Sequence, residues 1–305
     1  MNNRGSVLIS VLIFVAFCAF TAIFVYEHSM KSFEKTADDF YENQSDIYGI
    51  SAMTAAKEIL SEDDNPYDTD DDDWVNIPVT KVPYGTVELT VRPVDSHIDL
   101  NVLADKNGTA YKRFYDACER VFDDEGVKNV SCAEIADYTD TDGDTTSGGR
   151  EDADYTFNGV TLRTKNALFS SAPELKLLFD ERAQYELIKK YFTAGDAEGT
   201  LNINFADADT IKELLPELSN SADRIVNHAH VDGFKDVSDI KNVAGITDSA
   251  YLAILPYISV KSSLFYARTK VTLNGKTRFY HGLLKRSGTT VKIVRFQAGL
   301  DERFY

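Results

Sequence analysis

The first part of the chain combines a long apolar run with an amphipathic continuation. Residues 7–25 carry no charge, and a helix needs about 20 apolar residues to cross a bilayer. Apolar residues continue beyond them at helical spacing, and neither Pro nor Gly occurs over residues 6–48. A secretory signal peptide has a shorter apolar region followed by a small-residue cleavage site. We therefore predict a transmembrane helix over residues 6–26 that continues as an exposed helical stem over 27–62.

Alternating apolar and polar residues predict β-strands at two separate places. The segments "WVNIPVTKV" and "TVELTVRPV" read as two strands joined by a turn. Near the C terminus, "SLFYARTKVTL" and "KTRFYHGLLKR" flank Asn274 and Gly275, a pair that favours a type I′ hairpin turn. The segment "TTVKIVRF" supplies a further strand. We expect one sheet built from residues 74–95 and 263–298.

The residues between these strands, 96–260, have mainly helical periodicity. In "SSAPELKLLFDERAQYELIKKYF" we expect a helix with Ser171 as its N-cap and Glu174 completing a capping box. The apolar side chains of this stretch are expected in the core: Leu175, Leu178, Tyr185, Ile188 and Phe192. The predicted fold class is α+β. A long N-terminal transmembrane helix packs on a small antiparallel sheet, which contains a large all-α insertion.

Composition restricts the possible partners. The 305 residues carry a net charge of −17, which argues against a general nucleic-acid binder, because phosphate binding needs clustered Lys and Arg. Eight acids and no base occur over residues 61–73, a stretch that we interpret as a solvated loop.

Cys118 and Cys132 would close a loop of about 15 residues in an oxidising compartment, and such a disulfide is worth about 3 kcal/mol of stability. Two unpaired thiols are the alternative.

Two further functional classes have weak support in the sequence. Residues 201–260 resemble helix-hairpin-helix DNA-binding modules, but they hold nine acids against four bases, and the hairpin "PELSNS" has no glycine. His228 and His230 are two residues apart and would not share a helix face. No nucleophile elbow, P-loop or zinc-binding spacing occurs. We therefore expect neither an enzyme nor a nucleic-acid partner.

The N-terminal segment "RGSVLIS" resembles the start of type IV pilin-like precursors, whose short basic leader ends in Gly. The resemblance implies a leader over residues 1–5, with a prepilin peptidase cutting between Gly5 and Ser6 and methylating the new amine. Ser6 departs from the family pattern, in which Phe or Met is more frequent. Ser10 stands where most pilin-like proteins have the Glu that neutralises the amino terminus of the adjacent subunit. A subunit without this Glu suits the tip of a filament.

Several segments of the helical block resemble one family in order along the chain. They are "DSHIDLNVL", "EIADYTDTDGDTTSGGREDADY", "LRTKNALFSSAPELKLL" and "LNINFADADTIKELLPELS". With the anomaly at Ser10, they make the chain similar to the minor pseudopilin K family of type II secretion. The resemblance implies a single-pass inner-membrane protein with its large domain in the periplasm. Its implied partners are the prepilin peptidase, other minor pseudopilins and the major pseudopilin, with which it would initiate the pseudopilus and support export across the outer membrane.

Two other functions stay open from the sequence. A minor pilin of a type IV pilus would share the leader and the stem. A membrane-anchored periplasmic DNA receptor would use the helix-hairpin-helix resemblance. The large helical insertion between the strands favours the secretion family over both.

The acidic segment "DTDGDTTSGGRE" is the sharpest candidate site. Carboxylates occupy places one, three, five and twelve of an EF-hand loop, namely Asp140, Asp142, Asp144 and Glu151. The sixth place holds Thr145 instead of Gly, so we expect an irregular Ca²⁺ loop and not a true EF-hand. Further candidate ligands are Asp137 and Asp152. The family resemblance also implies calcium, and a merely solvated acidic loop is the alternative.

Overall fold

A computed structural model describes residues 4–151, 154–157, 160–179 and 181–299. Helix α1 (Arg4–Glu62) is one continuous helix. By length and composition it could cross a membrane, and no part of its most apolar stretch is buried inside the protein. The exposure of this stretch excludes the core helix of a globular domain as its explanation.

Within the described residues, eleven strands form one main sheet and three short ladders. In chain order they are β1 Thr80–Val82, β2 Gly85–Pro93, β3 Ile98–Asp99, β4 Asp154–Phe157, β5 Val160–Arg163, β6 Phe192–Thr193, β7 Leu201–Asn202, β8 Ile258–Ser259, β9 Leu264–Leu273, β10 Lys276–Ser287 and β11 Thr290–Gly299. The main sheet is antiparallel, with the order β1-β2-β9-β10-β11. Asn274 and Gly275 both have positive φ, 48° and 76°, which confirms the predicted hairpin turn.

The first predicted strand was too long. Strand β1 has only three residues. The preceding Trp74 is fully buried, and its ring packs against Phe205 and Phe265 with centroid distances of 5.3 and 5.2 Å. The residues that follow Trp74 therefore connect the core to the sheet instead of pairing along its edge.

The insertion between β2 and β9 is mainly helical. Its α-helices are α2 Tyr111–Glu125, α3 Cys132–Thr139, α4 Arg182–Ile188, α5 Ala208–Leu214, α6 Ala222–Val231 and α7 Asp248–Ile254. Short 3₁₀ helices join them: Val94–Ser96, Leu100–Ala104, Ala172–Leu178, Pro216–Ser221, Val237–Asn242 and Leu255–Tyr257. The insertion is not entirely α-helical, because β3 pairs with β6, β4 with β5 and β7 with β8.

The single helix predicted after Ser171 is wrong. The chain forms a 3₁₀ helix over Ala172–Leu178 and the separate helix α4, and Phe192 lies in β6. Ser171 makes no side-chain capping bond. The carboxylate of Glu174 accepts instead from the backbone N–H of Ser170 at 2.7 Å, so the expected capping box does not form. The core prediction for this stretch is confirmed, since all five apolar side chains are buried.

Helix α1 packs on the sheet through a close backbone approach. A Cβ atom at Gly282 would lie 2.2 Å from Sδ of Met53, and one at Gly49 would lie 2.6 Å from the ring of Tyr280. Buried side chains of α1, including Met53 and Leu60, form a core with the sheet and Trp74. A second, larger core fills the insertion. The fold class predicted from the sequence, a long apolar helix on a small antiparallel sheet, is confirmed.

Candidate metal centre

Helix α3 positions the first two acidic side chains of the site. Its N-cap is Ser131, whose hydroxyl accepts from the backbone N–H of Glu134 at 3.2 Å. Cys132 is joined by a disulfide to Cys118 of α2, with a Cα–Cα distance of 6.0 Å. Both sulfur-bearing residues are fully buried. The remaining cysteine, Cys18, is exposed on α1.

Three carboxylates meet at the C-terminal end of α3. Asp137 and Asp140 are buried, and Glu151 reaches them from the following loop. One oxygen of each lies within 4.8 Å of the others. Calcium binds oxygens at about 2.3–2.6 Å, so two of its ligands lie up to about 5 Å apart. The spacing therefore suits a single Ca²⁺ ion.

Apart from Oδ2 of Asp140, which faces Lys106 at 2.8 Å, four buried oxygens of Asp140, Glu151 and two loop residues have no hydrogen-bond partner within the described parts of the chain. They are Oδ1 of Asp140, Oγ1 of Thr146, Oε1 of Glu151 and Oδ1 of Asn166. A buried oxygen without a donor is unfavourable by about 1–3 kcal/mol. Because calcium takes carboxylate and carbonyl oxygens, a set of unpartnered oxygens beside three carboxylates fits this ion.

The loop after α3 is folded around Asp137. Both carboxylate oxygens accept from the backbone N–H of Thr146 at 3.1 Å. A Cβ atom at position 149 would lie 2.1 Å from Oδ2 of Asp137, so only glycine fits there. Burial raises the pKa of Glu151, and the charges of Asp140 and Asp137 raise it further. The loop thus brings its acids together against their mutual repulsion.

A basic side chain also enters the site. Nζ of Lys106 lies 2.8 Å from Oδ2 of Asp140, 3.6 Å from Oδ1 of Asp137 and 3.9 Å from Oδ1 of Asp142. Burial lowers the pKa of Lys106, but the hydrogen bond to Asp140 and the charges of Asp140, Asp142 and Asp137 outweigh burial, so the pKa is raised. Lys106 therefore carries its positive charge next to the carboxylates.

The structure brings together three of the six predicted ligands. Asp142 and Asp144 are exposed at the rim, where Oδ1 of Asp142 accepts from the backbone N–H of Asp144 at 2.9 Å. Asp152 lies outside the described residues. The other predicted functional positions, Gly5, Ser6 and Ser10, all lie on α1.

Sequence reasoning missed Lys106, Thr146 and Asn166. Asn166 donates from Nδ2 to the carbonyl of Asp142 at 3.2 Å and to Oε2 of Glu151 at 3.4 Å. The segment "TKN" that contains Asn166 was one of the motifs carrying the family resemblance, so this motif was the available signal. Lys106 has no such signal, because it lies far from the acidic loop along the chain.

In a second acidic group, two of the three carboxylates are paired with basic side chains. Oxygens of Asp63, Asp68 and Asp72 lie within 4.8 Å of one another. Lys261 contacts Asp63 and Asp68 at 3.0 Å each, and Arg286 contacts the same two acids at 2.8 and 2.5 Å. Asp68 is fully buried, so the interpretation of the whole acidic stretch as a solvated loop was wrong. This group has its counter-ions and joins α1 to the sheet.

The architecture defines a class of protein. A long helix with an exposed apolar N-terminal stretch, packed on an antiparallel sheet into which a separate domain is inserted, is that of a pilin-like subunit. The disulfide and the acidic centre both lie in the inserted domain.

Comparison with known proteins shows which members of this class the chain resembles. A model of "Type II secretion system (T2SS), protein K" matches residues 96–195. Type II secretion system protein K of Pectobacterium carotovorum subsp. carotovorum is 24% identical over 321 aligned residues, covering 98% of this chain and 97% of that protein. The protein K of Klebsiella pneumoniae is 23% identical, with the same coverage.

A solved structure shows the same fold. A chain in the crystal structure of the GspK-GspI-GspJ complex from enterotoxigenic Escherichia coli superposes with a TM-score of 0.75 at 20% identity, over 88% of this chain and 100% of the other. These findings confirm the resemblance to the type II secretion protein K family. The chain is therefore similar to type II secretion protein K over nearly its whole length, and it has an N-terminal apolar helix.

Proposed function

We propose that this protein is a non-enzymatic minor pseudopilin at the tip of the type II secretion pseudopilus. There it assembles with other minor pseudopilins, initiates the pseudopilus and supports export across the outer membrane. The observation that carries this proposal is an apolar stripe on the stem of α1. Tyr26, Phe33, Phe40 and Ile47 are spaced by seven residues and are 52–70% exposed. We call these four residues the stem stripe.

The spacing of the stem stripe suits packing against another helix. Seven residues make nearly two turns, so the four side chains follow one another along a single face. Side chains of the same helix that face the sheet, such as Met53 and Leu60, are buried. Exposed aromatic residues on the stem are unfavourable in water, and the apolar helices of other pseudopilins would cover them. The similar solved chain comes from a complex with GspI and GspJ, which supports partners of this class.

The remaining parts of the proposal concern the ends of the helix. The apolar stretch of α1 anchors the protein in the inner membrane, with the large domain in the periplasm, where the disulfide is stable. Prepilin peptidase cuts between Gly5 and Ser6, and the major pseudopilin follows below the tip. Ser10 leaves no carboxylate for the amino terminus of a subunit ahead, which agrees with a position at the tip.

We also propose that Asp137, Asp140 and Glu151 hold Ca²⁺. The carboxylates would supply the charge, and the unpartnered oxygens of Thr146 and Asn166 are candidates to complete the ligand set. The ion would cancel the repulsion between the acids and fix the loop after α3. No part of this role involves catalysis.

Co-purification tests the tip assignment. The full chain, in detergent, is co-expressed with the minor pseudopilins of its own secretion system. The variant Phe33→Ser/Phe40→Ser/Ile47→Ser is expected to lose the partners and to reduce secretion. The matched control Glu34→Ser/Asp39→Ser changes exposed polar residues of the same stem and is expected to keep both. Equal co-purification of the two variants would contradict the proposal. Co-purification with minor pilins of a type IV pilus, co-expressed in place of the pseudopilins, would favour a minor pilin if the pseudopilins do not co-purify.

A further inference from the structure

The ammonium of Lys106 occupies the position among the carboxylates that a bound cation would take. It lies between the 3₁₀ helix Leu100–Ala104 and α2, outside the acidic loop. Its ammonium is within 4 Å of Asp137, Asp140 and Asp142, and it donates to the carbonyl of Asp144 at 3.3 Å. A single side chain from a different segment thus provides the positive charge of the site.

The ammonium and a divalent cation need the same oxygens. A Ca²⁺ ion bound to Asp137 and Asp140 would lie within about 2.6 Å of each oxygen. Lys106 Nζ, at 2.8 Å from Asp140 Oδ2, would then be close to the ion. Like charges at such a separation repel strongly where water is largely excluded. Both cations cannot keep these contacts together.

We propose that Lys106 is a built-in counter-ion that occupies the acidic centre in the metal-free protein and leaves it when Ca²⁺ binds. Calcium binding at this site is therefore an exchange of one cation for another. The inference rests on the calcium site proposed above and adds a residue that opposes binding.

The surroundings of Lys106 allow this exchange without refolding the domain. Its side chain is 28% exposed, so solvent lies within reach of the ammonium. The backbone around it is held by a turn, in which Asp105 accepts from Asn107 N through Oδ1 at 3.0 Å and from Gly108 N through its carbonyl at 2.9 Å. An unbranched lysine can rotate outward while this turn stays fixed.

Lysine acetylation of the unmodified full chain in detergent gives the first test. The rate at Lys106 is measured by peptide mass spectrometry with an N-hydroxysuccinimide ester, in Ca²⁺ and in chelator. A ligand usually protects nearby groups, whereas here Ca²⁺ is expected to accelerate the reaction of Lys106 severalfold. Lys112, an 85% exposed lysine paired with Asp116, is the internal control and is expected to react equally in both. An unchanged or slower rate at Lys106 in Ca²⁺ overturns the exchange.

Calorimetric titration of Lys106→Met with Ca²⁺ gives the second test. Methionine keeps the unbranched side chain and removes the charge. The affinity is expected to rise about tenfold, which corresponds to about 1.4 kcal/mol. The unfolding midpoint in chelator is expected to fall. Lys112→Met is expected to change neither quantity.

The outcomes separate this inference from the calcium site itself. If the unmodified protein binds Ca²⁺ and Lys106→Met binds it no more tightly, the lysine does not compete and the inference fails alone. If neither protein binds Ca²⁺, the calcium site fails and the exchange fails with it. Binding by the variant but not by the unmodified protein would overturn the exchange, because Lys106 would then exclude the ion instead of leaving for it. If the variant does not fold, the acetylation rates of the unmodified chain decide.

Discussion

Arg286 and Asp68 form a buried ion pair of 2.5 Å between residues that are 218 positions apart. Arg286 lies near the end of β10, and Asp68 lies in the acidic segment after α1. Arg286 also donates to the carbonyl of Ser262 at 2.7 Å, at the point where the insertion returns to the sheet. The backbone N–H of Asp68 donates to the carbonyl of Val260 at 2.7 Å. The contacts of Arg286 and Asp68 therefore join the segment after α1, the sheet and the insertion.

Replacing Arg286 by Met is expected to lower the free energy of unfolding by up to about 3 kcal/mol, because it removes one of the two cations that contact the buried Asp68 and leaves Lys261 as the other. Denaturant unfolding of the full chain in detergent measures the loss. Lys276→Met breaks an exposed pair with Asp38, in which both side chains are more than half exposed, and is expected to cost less than about 1 kcal/mol. Similar losses in the two variants would show that burial does not set the strength of the Arg286 pair.

The raised pKa of Asp95 predicts an unusual pH dependence of the free energy of unfolding. Burial raises its pKa to about 8, the hydrogen bond from Ser262 opposes that rise, and the charge of Asp68 adds to it. In the unfolded chain an aspartate has a pKa of about 3.9. Between these two values the folded state holds a proton that the unfolded state has lost. The free energy of unfolding therefore falls as pH rises through this window, by at most about 1.4 kcal/mol per unit.

Asp95→Asn is expected to remove this contribution. The variant gains stability relative to the unmodified protein as pH rises from 5 to 8, measured as the difference in unfolding midpoint. Asp64→Asn, a change at an exposed acid of the segment after α1, controls for the loss of one charge. A constant difference across this range would mean that Asp95 is ionised in the folded protein.

The disulfide between Cys118 and Cys132 spans 14 positions. A loop of this size is worth about 3 kcal/mol through the restricted unfolded chain. Cys118→Ala/Cys132→Ala is expected to lower the free energy of unfolding by that amount, and reductant is expected to have no further effect on the variant. Cys18→Ala, at an exposed position on α1, is the control and is expected to leave the stability unchanged. A double variant as stable as the unmodified protein would rule out the bond in solution.

Asp140 and Asp144 distinguish the observed cluster from the EF-hand spacing. Asp140→Asn is expected to abolish the rise in unfolding midpoint that Ca²⁺ gives over chelator, because it removes a buried candidate ligand. Asp144→Asn is expected to keep that rise, since its side chain is exposed at the rim. At a Ca²⁺ concentration of about 100 times the dissociation constant, the bound ion raises the free energy of unfolding by about 2.7 kcal/mol. A larger loss at Asp144 would restore the EF-hand interpretation.

Features of the fold that depend on neighbouring residues in the chain could be predicted from the sequence. The charge-free run of α1 and the Asn274–Gly275 turn are fixed by neighbours in the chain, and both were read correctly. The prediction of one helix after Ser171 was wrong. The same helical spacing also suits a 3₁₀ helix, the separate helix α4 and a strand that pairs with Ile98. Tertiary packing of Leu178 and Phe192 decided between the two.

The candidate site was predictable only in part for the same reason. Alternating acids pointed to the loop at Asp140, but the position of each side chain depends on the backbone path. Lys106 approaches from another segment, and no spacing rule connects it with the loop. Asp68 looked like one more acid in a solvated run, since its partner Arg286 is adjacent only after the sheet has formed.

The insertion leaves and re-enters the main sheet at neighbouring positions on strands β2 and β9. Pro93 and Phe265 are paired across them, so the chain leaves the sheet and returns at positions about 5 Å apart. A gene could therefore gain, lose or exchange everything between these residues, and the flanking strands would still meet. The part built from α1 and the main sheet and the inserted domain can therefore evolve at separate rates.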